Sequence, residues 1–296
     1  MASGSSSLLL LITVVSLMSL STNSLGQNVP VEPGVSQALA QQRKALLSDI
    51  NYRLRFEIPA DESQPIVAVT RIEFDLSASD QPLQLDFRES VDKLQSVVTN
   101  RQSSDYRFEN EHLIIPADEL VAGHNELVII HTAGDSSLNR NPEFLYTLFV
   151  PDRARTAFPL FDQPDLKATW ELTLVIPSHW EAIANAPLLE SRDLGERKSL
   201  EFARSDLISS YLFSFVAGEF ERVTREVNGR RISMLHRESD PDKVARNIDA
   251  AFELHGAALD FLEGYTGIDY PFQKFDFALI PGFQYGGMEH VGAIQY

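Results

Sequence analysis

The 296-residue chain carries a formal net charge of −17, which disfavours nucleic acids and anionic membranes as partners. Its 44% hydrophobic content is that of an ordinary globular protein, and its length allows one large or two ordinary domains. The chain has no cysteine, which excludes disulfides and a lipid-anchored Cys.

The chain begins with an apolar stretch. Residues 7–20 are almost purely Leu, Ile, Val, Met and Ser, and Ser24-Leu25-Gly26 is a small-x-small pattern of the kind signal peptidases cleave. We therefore expect a signal peptide over residues 1–26, although its first six residues lack Lys and Arg. The apolar span is shorter than the ~20 residues of a membrane helix. A secreted or periplasmic protein starting near Gln27, with no stable membrane anchor, is the prediction.

Residues 27–48 are predicted to be a linker with a short helix over 37–47, and the sequence then changes to strand periodicity. Residues 52–58 and 69–76 alternate strictly between apolar and polar side chains, as half-buried antiparallel strands do. Further strands are predicted over 83–87, 91–98, 112–115, 126–131, 170–176, 181–184, 199–202, 211–217 and 219–227. Many short strands predict a mainly β domain over 49–236, built as a β-sandwich or saddle-shaped antiparallel sheets.

A helix is predicted from residue 239. Asp240 or Ser239 can cap it, Pro241 suits its first position, and Gly264 is expected to end it. Strands are expected over 275–280 and 286–296. Residues 237–296 are therefore predicted to begin a second, α+β domain that is incomplete within this chain.

Residues 281–296 read P-G-F-Q-Y-G-G-M-E-H-V-G-A-I-Q-Y, and Glu289 is the only charged residue in this glycine-rich run. A half-buried carboxylate needs a cationic partner, and Gly286-Gly287 allows another backbone to approach closely. A peptide amino terminus is the natural candidate.

Residues 155–168 form a second informative run, R-T-A-F-P-L-F-D-Q-P-D-L-K-A. Taken alone, the segment around Gln163-Pro164 can be an ordinary turn in which Asp162 caps its own backbone.

Both runs resemble motifs of the aminopeptidase N family of zinc metallopeptidases. Residues 286–290 are similar to the family's G-A-M-E-N motif, with His290 in place of Asn, and residues 155–168 to R-x-x-F-P-C-F-D-E-P-x-x-K-A, with Leu160 for Cys and Gln163 for Glu. Residues 182–187, 211–220 and 270–276 resemble A-x-S-N-x-P, Y-L-x-A-F-x-V-G-E-F and Y-P-L-x-K-x-D of the same family.

The resemblance implies a β domain followed by the start of a thermolysin-like catalytic domain. It implies that Glu289 binds the free α-amine of a peptide substrate and that Gln163 reaches the same site. It also implies that the peptide lies along Tyr285, Gly286, Gly287 and Met288. For His290 two interpretations remain open: a strand-end residue bonded to nearby backbone, or a group that ionises near pH 6.5 and tunes Glu289.

Zinc peptidases of this kind bind the metal through H-E-x-x-H on a helix, and the zinc activates the attacking water. This chain lacks that motif, and no two of its seven His lie three to five positions apart. We therefore expect the N-terminal portion of a zinc aminopeptidase, with no catalytic or metal-binding residue of its own and no activity alone. The alternative is a non-catalytic secreted β-sandwich that binds peptide termini or a protein partner.

Overall fold

The computed structural model describes residues 29–296, and the predicted signal peptide therefore lies outside the described residues. Helix α1 spans Gln37–Leu46 and helix α2 spans Pro241–Thr266. In chain order the strands are β1 Leu47–Glu57, β2 Val67–Leu76, β3 Leu83–Asp86, β4 Leu94–Thr99, β5 Gln102–Ser103, β6 Arg107–Glu109, β7 His112–Ile115, β8 Gly123–Thr132, β9 Phe144–Tyr146, β10 Thr169–Pro177, β11 Glu181–Ala184, β12 Leu188–Asp193, β13 Arg197–Phe202, β14 Phe215–Gly218, β15 Glu221–Val227, β16 Arg230–His236, β17 Phe277–Ala278 and β18 Ile294–Gln295.

The largest sheet has eight strands in the order β12-β13-β10-β1-β2-β8-β4-β5. Neighbouring strands are antiparallel except β1 and β10, which are parallel. Along β2 every second side chain is buried, which is the alternation that the sequence shows over 69–76. The strand periodicity therefore places one face of this sheet on the core.

Two three-stranded sheets, β3-β7-β6 and β11-β14-β9, contribute to the same hydrophobic core. At its centre the Trp170 ring stacks between Tyr52, with ring centroids 4.2 Å apart, and Phe213, at 4.6 Å. Buried aromatic rings of this size dominate the free energy of a β core. The prediction of a mainly β fold with antiparallel sheets is confirmed.

A buried charge network fastens the N-terminal segment to this core. Arg43 on α1 donates two hydrogen bonds of 2.7 Å to the Asp86 carboxylate. His112 places Nδ1 3.0 Å from Asp86 Oδ1 and Nε2 2.8 Å from the Glu32 carbonyl oxygen. Burial alone would raise the pKa of Asp86, but Arg43 and His112 outweigh it and hold that pKa well below its usual range. Residues 29–46 are thereby held against the sheets.

Helix α2 begins where the sequence predicts and ends later. The Asp240 carboxylate accepts hydrogen bonds from the backbone N–H groups of Asp242 and Lys243, as an N-cap does. The predicted end at Gly264 is wrong, since the helix continues to Thr266. It ends there because Gly267 adopts φ +68° and its N–H donates to the Glu263 carbonyl, a left-handed cap that glycine tolerates best.

The fourth sheet has the order β15-β16-β17-β18, with β16-β17 and β17-β18 parallel. It joins strands on both sides of the domain boundary predicted at residue 236. The predicted long strands over 275–280 and 286–296 are wrong, because only β17 and β18 pair in the sheet. Gly292, at φ +67°, turns the chain inside the second predicted strand, and Gly282, at φ +69°, lies in the connection between the two.

Candidate functional site

The segment that carries Glu289 folds back on itself as a small hairpin. Met288 N–H donates to the Gln295 carbonyl at 2.8 Å, and Gln295 N–H donates to the Met288 carbonyl at 3.2 Å. Ala293 N–H closes the turn on the His290 carbonyl at 3.0 Å. Glu289 thus lies at the start of a tight turn.

Alternation along this arm of the hairpin turns Glu289 toward solvent. Met288 is buried in a hydrophobic cluster with Tyr146 and Ile280, and His290 is completely buried. Glu289 between them is exposed, and within residues 29–296 its side chain has no hydrogen bond or ion pair. The expectation of a half-buried Glu289 is therefore wrong for this chain, since its neighbours occupy the core positions instead.

Two side chains, the buried Asn185 and the half-buried Lys274, hold the turn by donating to consecutive carbonyl groups. Asn185 Nδ2 donates to the Val291 carbonyl at 2.8 Å, and Lys274 Nζ donates to the Gly292 carbonyl at 2.5 Å. Lys274 also pairs with Asp276 at 2.8 Å, and Asp276 accepts the Ser233 N–H at 2.7 Å. This network fixes the turn, and with it Glu289, against the β core and β16.

His290 does not titrate near neutral pH. Burial lowers its pKa to about 4, and a contact with the Leu212 backbone offsets only part of that effect. The expected ionisation near pH 6.5 is therefore wrong, because the ring lies in the core while Glu289 faces the solvent. The other interpretation, a strand-end residue bonded to nearby backbone, holds only for the packing, because both ring nitrogens are buried without a hydrogen-bond partner within residues 29–296.

Gln163 is buried and already engaged. Its amide nitrogen donates to the Ala40 carbonyl of α1 at 3.0 Å and to Asp165 Oδ1 at 2.8 Å. Its Oε1 is buried without a hydrogen-bond partner in the part of the chain that the structure describes. No hydrogen bond joins Gln163 to residues 285–289 among these residues. The structure therefore does not bring the two predicted halves of the site into direct contact.

Asp162, next to Gln163, anchors the loop. It accepts hydrogen bonds from Ser210 Oγ at 2.8 Å and from the Arg155 N–H at 3.1 Å. Burial raises its pKa to about 6, and these hydrogen bonds offset only part of that rise. The F-D-Q-P run is thus part of a turn fixed in the core, but the predicted cap is wrong, because the Asp162 carboxylate accepts from Arg155 and Ser210 and not from the backbone of the turn itself.

The glycine-rich approach to Glu289 is open. Tyr285, Gly286 and Gly287 are exposed, and their backbone groups make no backbone hydrogen bonds within the described range. A methyl group at Gly286 would meet open space, whereas one at Gly287 would lie 3.2 Å from the Tyr296 ring. An unpaired, accessible backbone of this kind can accept an added strand.

Sequence reasoning missed two neighbours of this segment. Gln284 Nε2 donates to Asn139 Oδ1 at 2.8 Å and lies 3.4 Å from the Tyr146 hydroxyl. Asn139 sits at φ +41° in the loop before β9, and nothing in its local sequence predicts a partner 145 positions away. The contact depends on the packing of β9 against the last sheet.

The residues do not fit a zinc ion. Among residues 29–296 there is no group of three or more His, Cys, Asp or Glu side chains that could hold a metal. We therefore assign no metal ligand in this chain. Within the same residues, no helix is long and apolar enough to cross a membrane.

Comparison with known proteins establishes the family. Residues 48–212 match the peptidase M1 N-terminal domain. Aminopeptidase N of Streptomyces lividans is 29% identical over 273 residues, covering 86% of this chain and 31% of that protein. Endoplasmic reticulum aminopeptidase 1 of Rattus norvegicus is 32% identical over 208 residues, covering 65% and 22%. Aminopeptidase M1 of Arabidopsis thaliana is 33% identical over 153 residues, covering 51% and 17%.

The fold and the family match together define a β-rich domain of the M1 peptidases. The chain belongs to the M1 aminopeptidase family and represents its N-terminal portion. It spans less than a third of the length of each of these relatives.

Proposed function

We propose that this chain is the N-terminal portion of an exported, zinc-dependent aminopeptidase and that it supplies the group that binds the free α-amine of a peptide. The observation that carries the proposal is Glu289. Its carboxylate is exposed and unpaired within the described residues, on a turn that Lys274 and Asn185 hold in place. The names of the relatives support peptidase activity in the complete protein.

The charge of Glu289 accounts for the choice of substrate. An ammonium group forms a charge-assisted hydrogen bond with a carboxylate, and an acylated amine cannot. Once a bound peptide excludes water, an unpaired Glu289 would be costly, so blocked peptides are rejected. This is the selectivity that distinguishes an aminopeptidase from an endopeptidase.

The open backbone of residues 285–288 supports a role in holding the peptide. A substrate lying along Gly286 and Gly287 as an added strand would place its amino terminus close to Glu289, while Met288 anchors the segment in the core. Gln163 is the proposed second contact. Its Oε1 is buried and unpartnered, so it could accept an N–H only from a group that reaches it inside the core, whereas its amide nitrogen stays bonded to Ala40 and Asp165.

Two parts of the proposal lie outside the described residues. Export to the periplasm or the cell exterior is supported by the apolar leader over residues 1–26. Zinc would belong to the complete enzyme, where it supplies an activated water. Residues 29–296 contain no group of side chains that could hold it.

Replacement of Glu289 in the complete enzyme tests the proposal. Glu289→Gln keeps the shape of the side chain and removes its charge. The transition-state stabilisation calculated from kcat/KM for a free peptide should therefore fall by about 2–4 kcal/mol. Gln163→Ala removes a neutral contact and should cost less, about 1–2 kcal/mol. The N-acetylated form of the same peptide should be a poor substrate and lose little more in Glu289→Gln. Equal proportional losses on the two peptides would show that Glu289 is structural.

A further inference from the structure

We propose that a second site of this chain binds a small aromatic carboxylate, in a cavity of about 660 Å³ that does not contain Glu289 or the preceding glycines. One wall is formed by Ala186 and Pro187 in the loop after β11 and by Leu188 at the start of β12. The opposite wall is the β15-β16 hairpin together with residues 270–276. The cavity thus lies between the β core and the last sheet, and its volume is in the range of small-molecule sites.

Four cationic side chains line the cavity, Arg222, Arg230, Arg231 and Lys274, and the lining itself holds one carboxylate, Asp276. A cation with no carboxylate partner of its own is the group that would bind an anionic ligand here.

Three of the four cations are already neutralised by neighbours. Arg222 pairs with Glu181, Arg230 with Asp260 and Glu263, and Lys274 with Asp276. Arg231 is exposed and has no hydrogen bond or ion pair within residues 29–296. Its guanidinium is therefore available to a carboxylate, which it can bind through two parallel hydrogen bonds.

The apolar part of the lining favours an aromatic ring as the rest of the ligand. Phe272 packs edge-on against Tyr270, with ring centroids 5.4 Å apart, and Leu188 stays 48% exposed at the other wall. An aromatic ring placed there would cover apolar surface while its carboxylate reaches Arg231. Lys274 connects the cavity to the site of Glu289, because its Nζ also holds the Gly292 carbonyl.

Titration calorimetry of the purified chain with isophthalate tests the proposal, with neutral isophthalamide as the matched ligand of the same shape. We expect saturable one-site binding of isophthalate and no measurable binding of isophthalamide. Arg231→Gln should weaken isophthalate binding about tenfold or more, because a charge-assisted pair is lost. Arg231→Lys should retain part of the affinity.

Arg101 offers a matched control, since it is also exposed and unpaired within the described range but lies between β4 and β5, outside the cavity. Arg101→Gln should leave binding unchanged. Equal affinity for the acid and the amide, equal losses in the two Gln variants, or no binding of isophthalate by the folded parent would each overturn the proposal. The assay contains no peptide, so its failure would leave the role of Glu289 untouched.

Discussion

Along residues 288–290, buried packing residues alternate with an exposed carboxylate. Met288 and His290 fill core positions, and Glu289 between them reaches the solvent. Burial removes the charge of His290 near neutral pH, because its pKa falls to about 4. A neutral neighbour leaves the full negative charge of Glu289 available to a cation. His290 therefore acts as packing beneath the turn.

His290 should make the chain less stable in mild acid. In the unfolded chain the ring binds a proton below its ordinary pKa of about 6.5, whereas in the folded chain it does so only near its lowered pKa of about 4. Between these values the unfolded state binds more protons, so the free energy of unfolding falls as the pH falls. Each such group contributes about 1.4 kcal/mol per pH unit within that window.

Urea unfolding at several pH values between 4.5 and 6.5 measures this slope. His290→Asn should reduce this slope by about 1.4 kcal/mol per pH unit, which is the contribution of one proton. Burial also lowers the pKa of His131 to about 4, so His131→Asn should have a similar effect. Asp162 contributes with the opposite sign, since its folded pKa is raised to about 6, and comparison with the parent cancels its share. An unchanged slope in His290→Asn would mean that the ring is protonated in the folded chain.

Among the structural elements, the hairpin of residues 288–295 holds Glu289 in a fixed position. Its turn is fixed through the carbonyls of Val291 and Gly292, and the donors come from two different parts of the molecule. Gly292 is required here twice over. It adopts φ +67°, and a Cβ at this position would lie only 2.2 Å from the Asn185 carbonyl oxygen.

Gly292→Ala should destabilise the chain markedly. The left-handed backbone costs an L-residue about 1 kcal/mol, and the clash with Asn185 adds about 1–3 kcal/mol. Gly282→Ala is a matched control, because Gly282 has φ +69° but open space around its Cα. That variant should lose only the stability due to the left-handed backbone, about 1 kcal/mol. Urea unfolding of both variants measures the two losses in the free energy of unfolding. Equal losses would show that the turn accommodates the added methyl group at position 292 without strain.

The sequence predicts the elements of this chain well where one face of an element is buried. Strand β2 follows its alternation closely, helix α1 lies where a short helix is predicted, and Asp240 and Pro241 mark the start of α2. Strand β12 was missed because all its residues are exposed, so no alternation marks it. Strand β16 was missed because most of it is buried on both faces.

The site is less predictable than the elements. The motifs identify Glu289 and the glycines before it, but the exposure of Glu289 depends on which neighbours fill the core. The contact of Gln284 with Asn139 joins residues 145 positions apart and has no local signal. The local sequence therefore identifies these residues, but long-range packing decides their environment.

In the molecule as a whole, the last sheet is built on the β core and carries the turn that holds Glu289. Strands β15 and β16 lie before the predicted boundary at residue 236, and β17 and β18 lie after it. Arg237 reinforces the junction by pairing with Glu143 at 2.6 Å. The turn that carries Glu289 is therefore held in place by contacts within residues 29–296.

The purified chain alone should not hydrolyse aminoacyl-naphthylamides and should retain no stoichiometric zinc after dialysis. It has no H-E-x-x-H sequence, and residues 29–296 hold no group of side chains fit for a metal. We therefore expect the chain alone to lack the metal-activated water that the resemblance implies for the complete enzyme. Metal analysis and a fluorescence assay measure both properties, with the complete enzyme as positive control. The Glu289→Gln form of the chain separates genuine activity from a contaminant, because a contaminating peptidase is unaffected by that change. Turnover that follows the chain through purification and falls in the variant would show that the chain carries catalytic groups of its own.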